Sequence, residues 1–174
     1  MRIQQMIIGM MLLLSLGLAQ AEGEARHFMG IYSDSYSNDE LNANSYQYGY
    51  DFSNLISLEL NYSAPTVADT STTLTTVDSL YSLMMRFNKR YESINTYFMI
   101  GGSGIAFTNA TAVDESYTGV SYGLGIELYG SRNTAISFTW MTTEFDEAST
   151  IPDLSVTRVG LIHHFDFAKS VGRY

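Results

Sequence analysis

Hydrophobic and polar residues alternate along much of the chain, and this period of two predicts β-strands. In the clearest stretch, 45–52, Tyr or Phe occupies every second position and Gln47, Gly49 and Asp51 stand between them. Similar alternation marks residues 56–62, 81–87, 120–128, 136–141 and 158–167. A weaker alternation over 28–36 and an apolar stretch over 94–107, whose faces the pattern does not distinguish, bring the predicted strands to eight. After residue 21 no stretch has helical periodicity.

Short and long connections alternate between these strands. The short ones are 53–54, 88–93 and 130–133, and they contain Lys89, Arg90 and Arg132. The long ones are 37–44, 63–76, 108–116 and 146–153. Their charged residues are all acidic: Asp39, Glu40, Asp69, Asp114, Glu115, Asp146, Glu147 and Asp153. Membrane barrels have an even number of strands, short periplasmic turns and longer external loops. The pattern therefore predicts an all-β fold, an eight-stranded antiparallel up-and-down transmembrane β-barrel.

The apolar strand faces are expected to point out of this barrel, into lipid. Their opposite faces carry Gly, Ser and Asn rather than the Lys and Glu of a solvated strand, and small side chains suit a narrow interior. Aromatic residues near both strand ends predict girdles at the two membrane interfaces. The predicted girdle residues are Tyr36, Tyr46, Tyr62, Tyr81 and Tyr117 towards the loops, and Phe52, Phe87, Tyr129, Phe165 and Phe167 towards the turns.

Charged residues on the polar faces predict an ion-pair network inside the barrel. They are Asp51, Glu59, Arg86, Glu127, Arg158, His164 and Asp166. An eight-stranded barrel is only wide enough for its own side chains, and buried charges must pair. We expect a plug in which Arg86 pairs with Glu127 or Asp51. A gated ion path through rearranging pairs and a catalytic role of the carboxylates are the alternatives.

The first 21 residues have the pattern of a secretory signal peptide. Arg2 supplies the positive start, and the apolar run over 6–18 is shorter than the roughly 20 residues that a membrane-spanning helix needs. The run ends in Ala19-Gln20-Ala21, a small-x-small site for signal peptidase. We therefore predict a cleaved signal over 1–21 and an outer-membrane β-barrel domain over 22–174.

Composition removes several classes of function. The 174 residues carry 9 Lys and Arg against 18 Asp and Glu, a formal net charge of −9 that gives no basic footprint for nucleic acid. The chain has no Cys, which excludes disulfides, thiolate catalysis and Cys-ligated metal sites. We expect no cofactor and no metal.

No catalytic constellation is evident among the three histidines. His27 precedes the first strand, and His163 and His164 are adjacent on the last one, so their side chains point to opposite faces. No histidine has an evident nucleophile beside it. The glycine-rich 101–104 lies inside a strand rather than before a helix, which does not fit a phosphate loop. We expect no enzymatic activity.

The whole predicted mature chain resembles the small eight-stranded outer-membrane proteins, the group that includes opacity proteins and the OmpA-type transmembrane domain. The resemblance is carried by NSYQYGYDFSNLISLELNYS, YTGVSYGLGIELYG and VTRVGLIHHFDF. The resemblance implies insertion by the outer-membrane machinery, which in that family reads a C-terminal Phe. Here Phe167 is followed by residues 168–174, either a short periplasmic extension or a tail whose Tyr174 serves as the terminal aromatic.

We therefore expect a monomeric barrel in the outer membrane of a Gram-negative bacterium. Its partners would be outer-membrane lipid, lipopolysaccharide and the insertion machinery. It would act structurally or in surface interaction and adhesion through its external loops. Two alternatives are a narrow porin-like channel for small solutes or apolar molecules, and a soluble periplasmic barrel that binds an apolar ligand.

Overall fold

A computed structural model describes residues 26–36, 42–66, 76–108, 114–145 and 153–165. The predicted signal over 1–21, Asp166, Phe167 and much of the predicted long connections lie outside the described residues. The described residues form eight strands: β1 (Arg26–Tyr36), β2 (Asn42–Asp51), β3 (Ile56–Thr66), β4 (Thr76–Tyr91), β5 (Ile94–Thr108), β6 (Asp114–Tyr129), β7 (Thr134–Phe145) and β8 (Leu154–Phe165). Within the described ranges, no helix is long and apolar enough to span a membrane.

The strands close into an antiparallel up-and-down barrel in chain order, with β1 paired to β8, which confirms the predicted fold class. The register is staggered around the barrel. Following paired residues from Phe28 through β2 to β7 leads to Leu154 on β8, whereas the direct β8 partner of Phe28 is His164. The offset of ten residues is the shear number, and shear obliges the strands to tilt, typically by about 35–45°.

Three tight connections meet at one end of the barrel, the turn end: residues 52–55, 92–93 and 130–133. The other end is the loop end. The β4–β5 connection is shorter than the predicted 88–93, because both strands continue to a two-residue turn. Glu92 has a positive φ of 26°, the sense that a two-residue hairpin turn requires.

The barrel has an apolar outside and buried polar residues inside, as the alternation predicts. Large apolar side chains on the outward positions are exposed, among them Ile31, Leu60, Leu83, Leu124 and Leu161. The interior instead holds buried serines, asparagines, glutamates and arginines. This arrangement reverses that of a soluble β-barrel, whose apolar face points inward. It therefore removes the alternative of a soluble barrel built around an apolar ligand.

The undecided strand, β5, is apolar on both faces because the interior wall beside it is itself apolar. Phe98 and Ile100 point outward, whereas Tyr97, Met99 and Ile105 are buried inside. They belong to an interior cluster that also contains Tyr36, Ala43, Leu80, Met84, Met141 and Val156. The barrel interior thus combines polar networks with this apolar cluster.

Three predicted girdle residues point into the barrel, and their prediction was wrong. Tyr36 is 6% exposed, Tyr117 packs against the interior cluster, and Tyr129 hydrogen-bonds the interior carboxylate of Glu127. On β6 the outward positions from Val120 to Leu128 are even-numbered, so period two itself places residues 117 and 129 inside. The prediction counted Tyr as apolar, although its hydroxyl allows it to face a polar interior.

The other described girdle candidates lie on the outer side or at the turn end. Tyr46, Tyr62 and Tyr81 are exposed and directly opposite one another in the register of β2, β3 and β4. The phenylalanines are half-buried at the turn end, where Phe52 contacts Tyr50, Phe87 stacks on Phe98, and Phe165 contacts His163.

Aromatic rings cover glycines on neighbouring strands at four places. The directly opposed pairs are Phe28–Gly49, Tyr32–Gly160, Tyr81–Gly104 and Tyr97–Gly125. At each of these glycines, an added Cβ would overlap atoms of the opposing ring. The glycines therefore make room for rings that lie flat across the pairing.

Candidate functional site: charged layers of the barrel interior

Arg86 of β4 lies at the centre of the barrel interior and is 1% exposed. Its Nη1 donates a hydrogen bond to Glu59 Oε2 at 3.3 Å, and its Nη2 donates to Glu127 Oε1. The guanidinium lies 3.7 Å from the centre of the Tyr97 ring and 5.3 Å from that of Phe28. One cation is thus held between two carboxylates and two aromatic rings.

The Glu59 carboxylate has neutral donors besides Arg86. Gln47 Nε2 donates to its Oε2 at 2.7 Å, and Asn61 Nδ2 donates to its Oε1 at 2.9 Å. The Tyr32 hydroxyl donates in turn to Gln47 Oε1 at 2.6 Å. These bonds fix the carboxylate in place and offset part of the cost of burying its charge.

Glu127 is bound in the same way and connects the centre to the turn end. Its Oε2 accepts hydrogen bonds from Asn95 Nδ2 at 3.0 Å and from the Tyr129 hydroxyl at 2.9 Å. The same hydroxyl lies 2.9 Å from His164 Nε2, and His164 Nδ1 lies 3.1 Å from Asp51 Oδ2. A connected polar network therefore runs from Glu59 to Asp51.

A second charged layer lies nearer the loop end. Arg158 Nε donates to Asp34 Oδ2 at 3.2 Å, and both residues are buried. The hydroxyls of Ser45 and Ser63 also donate to the Asp34 carboxylate, at 2.7 and 2.9 Å. This layer joins β8, β1, β2 and β3 across the inside of the barrel.

The structure brings five of the seven predicted interior residues into the central network: Asp51, Glu59, Arg86, Glu127 and His164. Of the two partners proposed for Arg86, Glu127 is in contact, whereas Asp51 pairs with His164. Arg158 lies in the other layer, and Asp166 falls outside the described residues.

Sequence reasoning missed Asp34, the partner of Arg158, as well as the amides and tyrosines of the central network. Asp34 stands between Ser33 and Ser35, so its strand is polar on both faces and gives no period-two signal there. The inward position of the amides could have been predicted from the sequence. Gln47 has the same parity as Asp51 on β2, and Asn61 has the same parity as Glu59 on β3. Their inward position follows from that parity alone.

Little space is left at the turn end of the interior. A polar cavity there is bordered by Asp51, Arg86, Asn88, Asn95 and His164. Its volume of about 20 Å³ accommodates one or two water molecules. This cavity is thus too small to hold a continuous column of water.

The fold is similar to that of several solved outer-membrane proteins. The N-terminal β-barrel domain of Pseudomonas aeruginosa OprF has a TM-score of 0.64 at 16% identity, over 82% of this chain and 98% of that one. Ail, the attachment invasion locus protein of Yersinia pestis, has a TM-score of 0.57 at 17% identity, over 83% and 99%. OprG from P. aeruginosa has a TM-score of 0.59 at 10% identity, over 83% and 97%.

A search of the curated proteins found no match to the sequence. Residues 10–165, by contrast, match the family described as outer membrane protein beta-barrel domain. This match covers most of the chain. The apolar exterior and the sheet closed by pairing of β1 with β8 are what a barrel in lipid requires. The chain therefore belongs to the outer membrane protein beta-barrel domain family and is a protein of the bacterial outer membrane.

Proposed function

We propose that this protein is a closed outer-membrane barrel that acts at the cell surface through its acidic external loops. The observation that carries the closed lumen is the position of Arg86 between Glu59 and Glu127. An ion crossing the lumen would have to displace a guanidinium held by two buried carboxylates. Breaking such a buried pair costs several kcal/mol, which disfavours steady conduction.

The charge of the loops supports a surface role. The predicted long loops contain eight acidic residues and no Lys or Arg, although two of the eight, Asp114 and Glu115, lie at the loop end of β6 rather than in a loop. In this family of folds the longer connections face outward. Such loops attract cationic partners and repel polyanions. The barrel of Y. pestis Ail, which is similar in fold, has been solved in complex with the heparin analogue sucrose octasulfate. For the present chain we propose the opposite preference, a basic protein or polyamine surface rather than a sulfated one.

The remaining proposals follow from the same assignment. The signal over 1–21 is removed on export, and the mature chain is inserted by the outer-membrane machinery. It is a monomer, and its partners in the membrane are the surrounding lipid and lipopolysaccharide. Its role is non-enzymatic.

Planar-bilayer recording of the refolded full-length mature chain tests the closed lumen. We expect no steady unitary current. A matched pair of variants supports the interpretation. R86Q removes the guanidinium between Glu59 and Glu127 and is expected to open a path for ions, whereas K89Q removes a charge at the turn end, outside this layer, and is expected to leave the lumen closed. Steady currents from the unmodified protein would contradict the closed lumen and support the channel.

A binding assay on whole cells tests the loop function. Cells that display the protein are incubated with beads coated with polylysine or with heparin. We expect retention on polylysine only, and its loss in a variant with D39N, E40Q, D146N and E147Q. A K89Q/R90Q variant, changed on the periplasmic side, is the control. Equal binding of the two display variants, or retention on heparin, would contradict the proposal.

A further inference from the structure

One wall of the barrel carries polar side chains on its lipid-facing surface. Five outward, exposed residues on β8, β1 and β2 form this polar seam: Ser33, Ser35, Asn42, Asn44 and Thr157. They are neighbours in the register, since Ser33 pairs with Asn44, Ser35 with Asn42, and Ser35 with Thr157. On β1 the outward apolar residues below the seam are only Met29 and Ile31.

The register allows the heights of residues on different strands to be compared. The height, or level, is counted in residues from His27 towards the loop end. A circuit of eight strands climbs ten residues towards the loop end, so one step to the next strand climbs about 1.25 residues. From His27, three steps lead through Tyr50 and Leu58 to Met85. Leu83 is two residues further up, at a level of about 5.75 residues above His27, and Ser33 is six residues above it.

The seam therefore lies at the same height as apolar, lipid-facing residues on the other side of the barrel. Leu83 is 46% exposed at the level of Ser33. On β6 the outward apolar positions continue from Leu128 to Val120, from about 0 to about 8 residues above His27 on the same scale. The apolar band is consequently taller on β3, β4 and β6 than on β8, β1 and β2.

Contact with hydrocarbon is energetically unfavourable for the polar side chains of the seam. A hydroxyl or amide exposed to lipid tails loses its hydrogen bonds to water, whereas a bilayer adapts to a short apolar band by thinning at a modest cost per ångström. The seam is also continuous with the loop end, where the outer leaflet meets water. Polar lipid headgroups can therefore reach it by a local dip of the leaflet.

We propose that the outer leaflet is thinned along the β8–β1–β2 wall, so that water and the polar headgroups of outer-leaflet lipid contact the seam. The partner of this surface is thus a headgroup layer rich in hydroxyls and phosphates, not lipid tails. The surface makes the barrel asymmetric in the membrane: one side is matched to a thick bilayer and the other to a thin one.

Single-cysteine labelling tests this proposal, because the chain contains no Cys of its own. S33C and L83C variants carry a nitroxide spin label and are folded into dioleoylphosphatidylcholine vesicles. Accessibility to oxygen, which partitions into hydrocarbon, is compared with accessibility to a water-soluble nickel chelate. A heat-dependent gel shift verifies that each labelled barrel is folded.

We expect the label at Ser33 to be several-fold more accessible to the nickel chelate than the label at Leu83, and N44C and T157C to behave like S33C. Equal oxygen-rich signals at Ser33 and Leu83 would overturn the proposal, since hydrocarbon would then cover both walls. A label at Ser33 shielded from both reagents would also overturn it, because a second copy of the chain would then cover the seam.

Discussion

Phe28 and Gly49 stand directly opposite each other on β1 and β2, and the ring of Phe28 covers the glycine inside the barrel. Phe28 is fully buried, and its ring also contacts His164 and lies below the Arg86 guanidinium. The absence of a side chain at Gly49 is thus what allows the ring to reach the central charged layer.

A methyl group at this position should be costly. In G49A the new Cβ overlaps the fully buried Phe28 ring, and overpacking of this kind costs about 1–3 kcal/mol. Urea unfolding in lipid vesicles, followed by Trp140 fluorescence, measures the change.

Gly102 provides the control for that substitution. An added Cβ there meets only the backbone oxygen of Gly119, at 3.8 Å. G102A should therefore leave the free energy of unfolding within about 0.5 kcal/mol of the original. Equal losses for the two variants would show that glycine itself, and not the space under Phe28, sets the stability.

Removal of Arg86 should destabilise the barrel through the charges that it leaves behind. R86M leaves the buried carboxylates of Glu59 and Glu127 without their cationic partner. The expected cost is about 3–5 kcal/mol in the free energy of unfolding. Adding E59Q and E127Q should recover most of this loss, because the uncompensated charges are then gone. A triple variant no more stable than R86M would indicate that the packing of the arginine matters more than its charge.

Trp140 is the only tryptophan in the chain and is 46% exposed on the outward face of β7. Its fluorescence should be strongly quenched in bilayers whose acyl chains carry bromine. In a W140F background, F98W should also be quenched, whereas Y97W should not, because these neighbours on β5 point out of and into the barrel. Quenching of the Y97W variant would mean that the faces of β5 are reversed.

Export should remove the first 21 residues. The intact mass of protein purified from the outer membrane is expected to correspond to a chain that begins at Glu22. Replacing Ala19 and Ala21 with Leu should block cleavage, since signal peptidase requires small residues there. If the measured mass corresponds to a chain that still contains residues 1–21, the predicted cleavage is contradicted.

Period-two alternation predicted the eight strands and the facing of those that are apolar on one side and polar on the other. It failed where both faces have the same character. On β1, Ser33 and Ser35 flank Asp34, so the partner of Arg158 was not recognised. On β5 the interior cluster makes the inside as apolar as the outside, as with Met99 beside Ile100.

The pairing of charges was less predictable than their facing. Facing depends only on parity along one strand, but pairing depends on the register between strands and on the shear. Arg86 and Glu127 are 41 positions apart in the sequence, and Arg158 and Asp34 are 124 apart. Since the sequence alone does not supply the stagger of the barrel, it could not decide between Glu127 and Asp51 as the partner of Arg86.

The pairing of β1 with β8 bears on the kinetics of folding. The first and last of the eight described strands must pair before the sheet is without an edge, and contacts of such high sequence separation form slowly. Until then, each edge presents unpaired N–H and C=O groups that hydrocarbon cannot satisfy. The pairing of β8 with β1 is thus the step that completes the barrel, and a sheet of the first seven strands alone would have two unpaired edges that favour aggregation.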